Sequence, residues 1–326
     1  MRFPPAPIPA FRPFAVFIAG PLPAAMTAGA AAHPDLQPNR ALPAFAPQRA
    51  DIVAPDHAFA APVDRRPRPG HAPVSSLPPM RQVRGPLDHR YFVDALLDKA
   101  VAHASPGTPN VVQFGDDHAN LRSISMIERL LAGVVERNHV LEIGTVQFEL
   151  PTGIEPVAEF NMHRVAAEVA ATPGGARTYF RHVHPEQLEI TKLFYLMACA
   201  SRMGFRIECI DSPESITRTD SNAHRDFHMT HRIRRTLAQG AGVIAITGTN
   251  HVAPLQANLL GGSVVPGGPP ACAPVNAVSL GSYAGLSHPS LRADVRRNAA
   301  WGLPHEVAEF IRFDTRAPNE YSAPAG

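Results

Sequence analysis

Short apolar runs alternate with longer segments of helical periodicity through the middle of this chain. Four of the runs are rich in β-branched residues and have the length of strands buried on both faces: 110–115, 145–150, 205–211 and 242–248. A fifth strand is predicted at 275–280, after a loop rich in glycine and proline. Because strand and helix alternate, the pattern predicts an α/β fold: a parallel-sheet core with crossover helices on both faces.

Apolar positions spaced three and four residues apart predict the helices of this fold. Their predicted ranges are 87–104, 121–139, 158–171, 185–203 and 222–239. Ser123 is expected to cap the second helix, and Gly204 is expected in the C′ position after the fourth. Residues 295–314 are expected to pack as an irregular helical cap.

The first 80 residues hold eighteen of the 35 prolines and show no sustained period of 3.6 or 2. Residues 1–85 are therefore predicted to be a disordered proline-rich leader or tail, and residues 86–326 a single α/β domain. Arg2 and Arg12, with the apolar stretch beside them, resemble a secretory signal, although prolines interrupt its centre. The alternatives are an unfolded secretion or translocation leader and a plain disordered extension. Export from a bacterium is expected, with a cytoplasmic location as the alternative.

Composition removes several classes of function. The formal net charge is +2 and no basic stripe carries interleaved aromatic residues, so nucleic acid is not an expected partner. No apolar run reaches 18 residues, which excludes a transmembrane segment and leaves only peripheral membrane contact open. Three cysteines, an odd number, imply no disulfide framework. Lys99 and Lys192 are the only lysines among 30 basic residues, which with the Ala/Pro/Arg richness indicates a GC-rich bacterial genome.

The predicted strands all end in polar, ionisable residues. Two strands end in the same Gly-x-x-His pattern, Gly115-Asp-Asp-His118 and Gly248-Thr-Asn-His251. The other two strands end near Glu149 and Asp211. A strand buried on both faces has no structural need for such residues. Because the carboxyl ends of parallel strands lie along one edge, where open α/β sheets bind ligands, these side chains are expected to share a site.

Two imidazoles beside carboxylates suit hydrolysis of a small-molecule or peptide substrate. His118, His251 and Glu149 could together bind a divalent metal ion and lower the pKa of its bound water. Without a metal, one histidine could act as a general base while a carboxylate orients it.

Structural interpretations of the same residues stay open. A strand-end histidine can simply bond a carbonyl, Asp117 can cap the following helix, and Asp211 can start a turn. A second group of histidines is interpreted as exposed surface residues, because the His-Glu-x-x-His pattern of zinc proteases is absent: His182, His184, His224, His228 and His231.

The motifs also carry a resemblance to a known superfamily. The paired Gly-x-x-His strand ends, the strand-borne "FEL", and "HRDFHMTHRI" shortly before "GVIAITGTNH" resemble the superfamily of Tiki/TraB proteins, erythromycin esterases and haem-binding ChaN proteins. The stretch "LFYLMACASRMGFRIECID" is most similar to relatives in bacterial membrane-targeted effector toxins. The resemblance covers roughly residues 108–260.

The resemblance implies a set of candidate catalytic residues: Asp116, His118, Glu149, Arg225 and His251. It places Asp116 where the family often has glutamate, and it makes Asp226 and Met229 part of the family's Arg-Asp-x-x-Met pattern. It implies an ester or peptide hydrolase, with one divalent metal ion or none, in a secreted effector toxin. The alternative is a non-catalytic module that binds haem or a partner. Asp116 is one methylene shorter than glutamate, and His224 precedes Arg225 where a carboxylate is common; both departures bear on catalysis more than on the fold.

Overall fold

A computed structural model describes residues 81–83, 86–118, 120–216, 222–261, 274–283, 308–313 and 321. These residues belong to one compact unit, Arg66–Gly326. The predicted leader before residue 81 lies outside the described residues.

Seven parallel strands form one sheet in the order β1-β7-β6-β2-β5-β3-β4. The strands are β1 Arg81–Val83, β2 Asn110–Asp116, β3 Ile143–Pro151, β4 Arg206–Asp211, β5 Gly242–Gly248, β6 Asn276–Tyr283 and β7 Ala308–Phe313. All five predicted strands are present, which confirms the parallel α/β core. In this order β2, β5, β3 and β4 are neighbours, so their carboxyl ends lie side by side.

Seven helices connect or flank the strands in the part of the chain that the structure describes. They are α1 Pro86–His103, α2 Ser123–Leu141, α3 Glu155–Ala171, α4 Gly175–His182, α5 Leu188–Arg202, α6 Asn222–Leu237 and α7 Val252–Gly261. Short 3₁₀ turns lie at Pro185–Gln187, Pro213–Ile216 and Thr249–His251. In the part of the chain that the structure describes, each helix falls short of the length and apolarity that crossing a bilayer requires.

Helices pack on both faces of the sheet, so the central strands are buried on both sides. On one face Val111, Val243 and Ala277 pack in a cluster with residues of α6 and α7, among them Met229 and Leu255. Strand residues that alternate with these point to the opposite face. Helices α1, α2 and α5 pack there, which confirms crossover helices on both faces.

One prediction near the end of the chain is wrong: residues 308–313 form strand β7 rather than part of a helical cap, whose remaining residues lie outside the described ones. Arg81–Val83, inside the segment assigned to the leader, pairs with β7 as strand β1. Both strands lie at the β6 side of the sheet. A three-residue strand shows no period of its own, so only pairing with a distant segment defines it.

Two predicted helix boundaries have different outcomes. Ser123 is not a cap: Arg122 occupies the N-cap position, and Ser123 lies inside α2 and donates its hydroxyl to the Asn120 carbonyl at 2.9 Å. Asp117 lies before this turn and does not occupy the N-cap position either. Gly204 follows the C-cap of α5 with a φ of +90°, so its predicted C′ role is confirmed.

Candidate active site at the carboxyl edge of the sheet

Glu149, at the end of β3, is the centre of the site. One of its oxygens, Oε1, accepts a hydrogen bond from Arg225 Nη2 and lies 3.2 Å from His251 Nε2. The other, Oε2, accepts the backbone N–H of Gly248 and lies 3.5 Å from His118 Nε2. The two histidines of the paired strand ends therefore face the same carboxylate, as the strand-end pattern predicts.

Each imidazole is held between two carboxylates. His118 Nδ1 lies 3.2 Å from Asp116 Oδ2, and His251 Nδ1 lies 2.5 Å from Asp226 Oδ1. The outer nitrogen of each ring thus contacts an aspartate and the inner nitrogen faces Glu149. An aspartate on Nδ1 fixes both the orientation of an imidazole and the ring nitrogen that faces the site.

Arg225, near the start of α6, connects β3 to β4. Its Nε and Nη2 donate to Asp211 at 2.6 to 3.2 Å, while Nη2 also donates to Glu149. Asp211 also accepts the backbone N–H of Ser212 at 2.8 Å, as a turn residue would. Both interpretations of Asp211 therefore hold: it begins the turn and it orients the arginine.

Lys192 is a member of the site that the motifs do not reveal. It lies in α5, its side chain is fully buried, and its Nζ is 2.7 Å from Asp116 Oδ2. In the sequence it stands directly before the apolar run "LFYLMACA", in a chain that otherwise uses arginine for nearly all its basic residues. A buried ammonium group needs a partner, but the sequence does not show that this position is buried. Asp226 entered only through the resemblance.

The electrostatic balance favours protonated histidines. Burial lowers the pKa of His251, but the charge of Glu149 and the hydrogen bond to Asp226 outweigh it and raise the pKa to about 10. For His118, burial again opposes protonation, yet the hydrogen bonds to Asp116 and Glu149 hold its pKa well above the usual value. Burial raises the pKa of Glu149, but the two imidazoles bring it well below its ordinary range.

The charges of the site cancel only when both imidazoles carry a proton. Four carboxylates take part, and Lys192 and Arg225 supply two fixed positive charges. Burial raises the pKa of Asp116, but the Lys192 charge and the His118 hydrogen bond hold it well below its ordinary value, so Asp116 stays ionised at neutral pH. Two imidazolium ions complete the neutral set.

Only two members of the site reach solvent. The side chains of His118 and Arg225 are 22% and 21% exposed, whereas Glu149 and His251 are 6% and 5% exposed. A substrate can therefore meet His118 and Arg225 first. His251 is placed behind Glu149 and supports it.

Gly248 keeps the space between His118 and Glu149 open. A Cβ atom at this position would lie 2.8 Å from His118 Nε2 and 3.1 Å from Glu149 Oε2. Gly115 has a different role: its Cβ would lie 2.2 Å from Val252 Cγ2 and 3.0 Å from Thr249 Cα. The two glycines of the repeated motif thus serve the site and the packing respectively.

The donor set does not fit a metal ion well. Both oxygens of Glu149 already accept hydrogen bonds, one from a guanidinium and one from a backbone amide. A guanidinium on the same carboxylate opposes a second cation. Among the described residues no group of three or more His, Cys, Asp or Glu side chains could hold a metal ion. The metal site of His118, His251 and Glu149 stays a prediction.

The second group of histidines does not join the site. His182, His184 and His231 are exposed, as predicted. His224 and His228 are half-buried, so the prediction of exposure is wrong for these two, and burial with the nearby Arg232 charge lowers the pKa of His228.

Comparisons with known proteins give little beyond the geometry. No protein-family model matches the sequence, and no curated protein sequence matches it either. Among solved structures, this chain is similar to one described as the type III effector HopBA1, with 15% identity, 64% of this chain and 88% of that chain covered, and a TM-score of 0.36. A likeness with so low a TM-score carries no argument about this chain.

Proposed function

We propose that this protein is a hydrolase of ester or peptide bonds whose site comprises Asp116, His118, Glu149, Arg225 and His251. The observation that carries the proposal is one buried carboxylate, Glu149, contacted by two imidazoles and a guanidinium where four strands end. Burying charged groups costs free energy. Clusters of buried charges are typical of catalytic sites, where such groups are positioned in advance of the reaction.

In the proposed reaction His118 is the general base. When its ring is neutral and Nδ1–H donates to Asp116, the lone pair of Nε2 faces the site. Nε2 takes a proton from a water molecule as the water oxygen attacks the carbonyl carbon of the substrate. The bond to the leaving group then breaks, and the imidazolium returns the proton to that group. Water is added across one bond, and the histidine is restored.

Arg225 is suited to stabilising the oxyanion that forms during this attack. Its Nε and Nη2 are fixed by Asp211 and Glu149, and 21% of the side chain is exposed to solvent. A donor held in place before the reaction costs no reorganisation when charge develops. His251 and Asp226 keep Glu149 in position and do not contact the substrate in this proposal.

The test measures hydrolysis of p-nitrophenyl acetate and of a chromogenic peptide by the full chain. His118→Gln should lower kcat by roughly 10² to 10⁴, the usual contribution of a general base. His182→Gln, which removes an exposed histidine of α4, is the matched control and should leave kcat unchanged. Equal rates for the wild-type protein and His118→Gln would refute the proposal.

The rate of the wild-type protein should rise with pH. Because the pKa of His118 lies well above its ordinary value, the basic form is scarce at neutral pH and becomes abundant only under alkaline conditions. Asp116→Asn removes a group that favours the imidazolium, so it should move the rising limb of the kcat/KM profile to lower pH.

Membership of the Tiki/TraB, erythromycin esterase and ChaN superfamily, and a role as a bacterial effector that is secreted or translocated, belong to the same proposal. They rest on the sequence motifs and on the composition of the leader. Export into culture medium or into a target cell by the natural host would test the location separately from activity.

A non-catalytic haem- or partner-binding module is the alternative, and the saturation of Glu149 favours it: each of its oxygens already has partners within the chain. Such a protein would hydrolyse none of the probes, and His251→Ala would change no rate. The Soret band of added haem would then shift on binding. This shift would be lost in His118→Ala, because His118 is the exposed imidazole of the site.

A further inference from the structure

Among the described residues, Lys192 and its partner Asp116 are charged side chains with no exposed surface. The Lys192 side chain sits in α5 among apolar neighbours such as Leu193 and Leu196. Burying an ammonium group is costly unless it is paired and hydrogen-bonded. A methionine or leucine would fill the same volume without that cost, so packing alone does not account for a lysine here.

All the partners of the Lys192 ammonium group lie in residues 116–123, the segment that joins β2 to α2. Nζ is 2.7 Å from Asp116 Oδ2, 3.2 Å from the carbonyl oxygen of Asp117, 3.1 Å from that of Asn120 and 3.3 Å from Ser123 Oγ. A tetrahedral ammonium group can donate in three directions, whereas the planar guanidinium of arginine cannot reach carbonyls arranged around a point. The contacts explain why this position is lysine in an arginine-rich chain.

His118 belongs to that segment and depends on the same carboxylate. Its Nδ1 lies 3.2 Å from Asp116 Oδ2, the oxygen that Lys192 also contacts. Lys192 therefore acts on the ring twice, through the carboxylate that orients it and through the backbone carbonyls beside it. The direction in which Nε2 faces Glu149 follows from both.

We propose that Lys192 is a positioning residue for His118, since its ammonium group holds the segment between β2 and α2 in the shape that aims the ring at Glu149. The proposal rests on the proposed function for its kinetic consequence only. The geometric part, the orientation of the His118 ring, can be measured without any substrate.

The experiment compares wild-type protein with Lys192→Met, which keeps the length and removes the charge. Hydrolysis of p-nitrophenyl acetate should show kcat lowered by about a hundredfold, the usual cost of about 1 Å of misplacement, with KM changed by less than about threefold. Lys99→Met is the matched control, because it removes the other lysine, which pairs with Glu309 at the surface between α1 and β7. It should leave kcat unchanged.

A spectroscopic readout separates positioning from a general loss of structure. In protein with ¹³C-labelled histidine, the ring signal of His118 should broaden or split in Lys192→Met, because the ring samples several orientations, while the His251 signal stays sharp. If Lys192→Met does not fold, the double variant Asp116→Asn with Lys192→Met is compared with Asp116→Asn alone, and broadening of the His118 signal beyond that of the single variant measures the part of Lys192. An unchanged His118 signal in a folded variant overturns the proposal. If wild-type protein hydrolyses no probe, the proposed function fails, and the ring signal alone decides the role of Lys192.

Discussion

At the scale of single residues, Gly248 gives the sharpest test of the site because a change there adds one carbon and nothing else. Its φ of −58° and ψ of 144° are ordinary for alanine, so Gly248→Ala strains no backbone. The added Cβ would lie 2.8 Å from His118 Nε2. We expect hydrolysis to fall by about a hundredfold with an unchanged unfolding midpoint, because displacing a catalytic group by about 1 Å has this effect.

Gly115→Ala is the matched control for that substitution, since it changes the equivalent residue of the repeated motif. Its Cβ would meet Val252 Cγ2 at 2.2 Å and Thr249 Cα at 3.0 Å, inside the packed core. We expect it to lower the free energy of unfolding by about 1–3 kcal/mol. Equal activity in wild-type protein and Gly248→Ala would show that the space beside His118 is not used.

The raised pKa of His251 predicts that the free energy of unfolding depends on pH. Its pKa rises from 6.5 in the unfolded chain to about 10 in the folded protein, so folding favours the bound proton. The stabilisation is complete below pH 6.5 and is lost as the pH rises through about 10. Within this range the free energy of unfolding should fall by roughly 1 kcal/mol per pH unit.

Urea unfolding of wild-type protein and His251→Gln across that range measures this dependence. The difference between the two proteins isolates the histidine from other groups that titrate at alkaline pH. Parallel curves for the two proteins would mean that His251 is neutral in the folded state.

At the scale of elements, Gly204 terminates helix α5, which contains Lys192. Its φ is +90°, and a Cβ there would meet nothing within 4 Å, so Gly204→Ala tests the backbone conformation alone. We expect a loss of about 1 kcal/mol in the free energy of unfolding. Gly144→Ala is the control, because its Cβ would make an ordinary contact of 3.6 Å in strand β3 and its loss should be smaller. Equal losses in chemical denaturation would contradict this account.

The elements recovered from the sequence are those whose pattern is local. Helix α2 and strand β5 repeat apolar residues at their own periods, so they need no knowledge of the rest of the chain. Strands β1 and β7 were not predicted, because they form only through pairing: β1 pairs with β7, and β7 pairs with β6. Edge strands of this kind are fixed by neighbours far away along the chain.

The residues of the site also fall into those that a local sequence pattern predicts and those that it does not. His118, Glu149 and His251 were predicted because strand ends of a parallel sheet meet at one edge. Lys192 was not, since it reaches the site from the middle of a helix, and a sequence does not show which way a helix faces. Its one signal was a lysine, rare in this chain, beside an apolar run.

At the scale of the whole molecule, the site should be lost only with the sheet. Its groups lie in or just after β2, β3, β4 and β5 and in α5 and α6, so no single element contains it. We expect hydrolysis of p-nitrophenyl acetate and the circular dichroism of the folded chain to disappear at the same urea concentration. Activity that vanishes well before the dichroism would show that the edge opens independently.

Strand β5 lies between β2 and β3, although it is made after both. Until it is inserted, β2 has no hydrogen-bonded connection to β3, and the carboxylate of Glu149 has neither His251 nor the Gly248 amide. A chain emerging from the ribosome therefore lacks a complete site until residue 251 has been synthesised and strand β5 has entered the gap between β2 and β3.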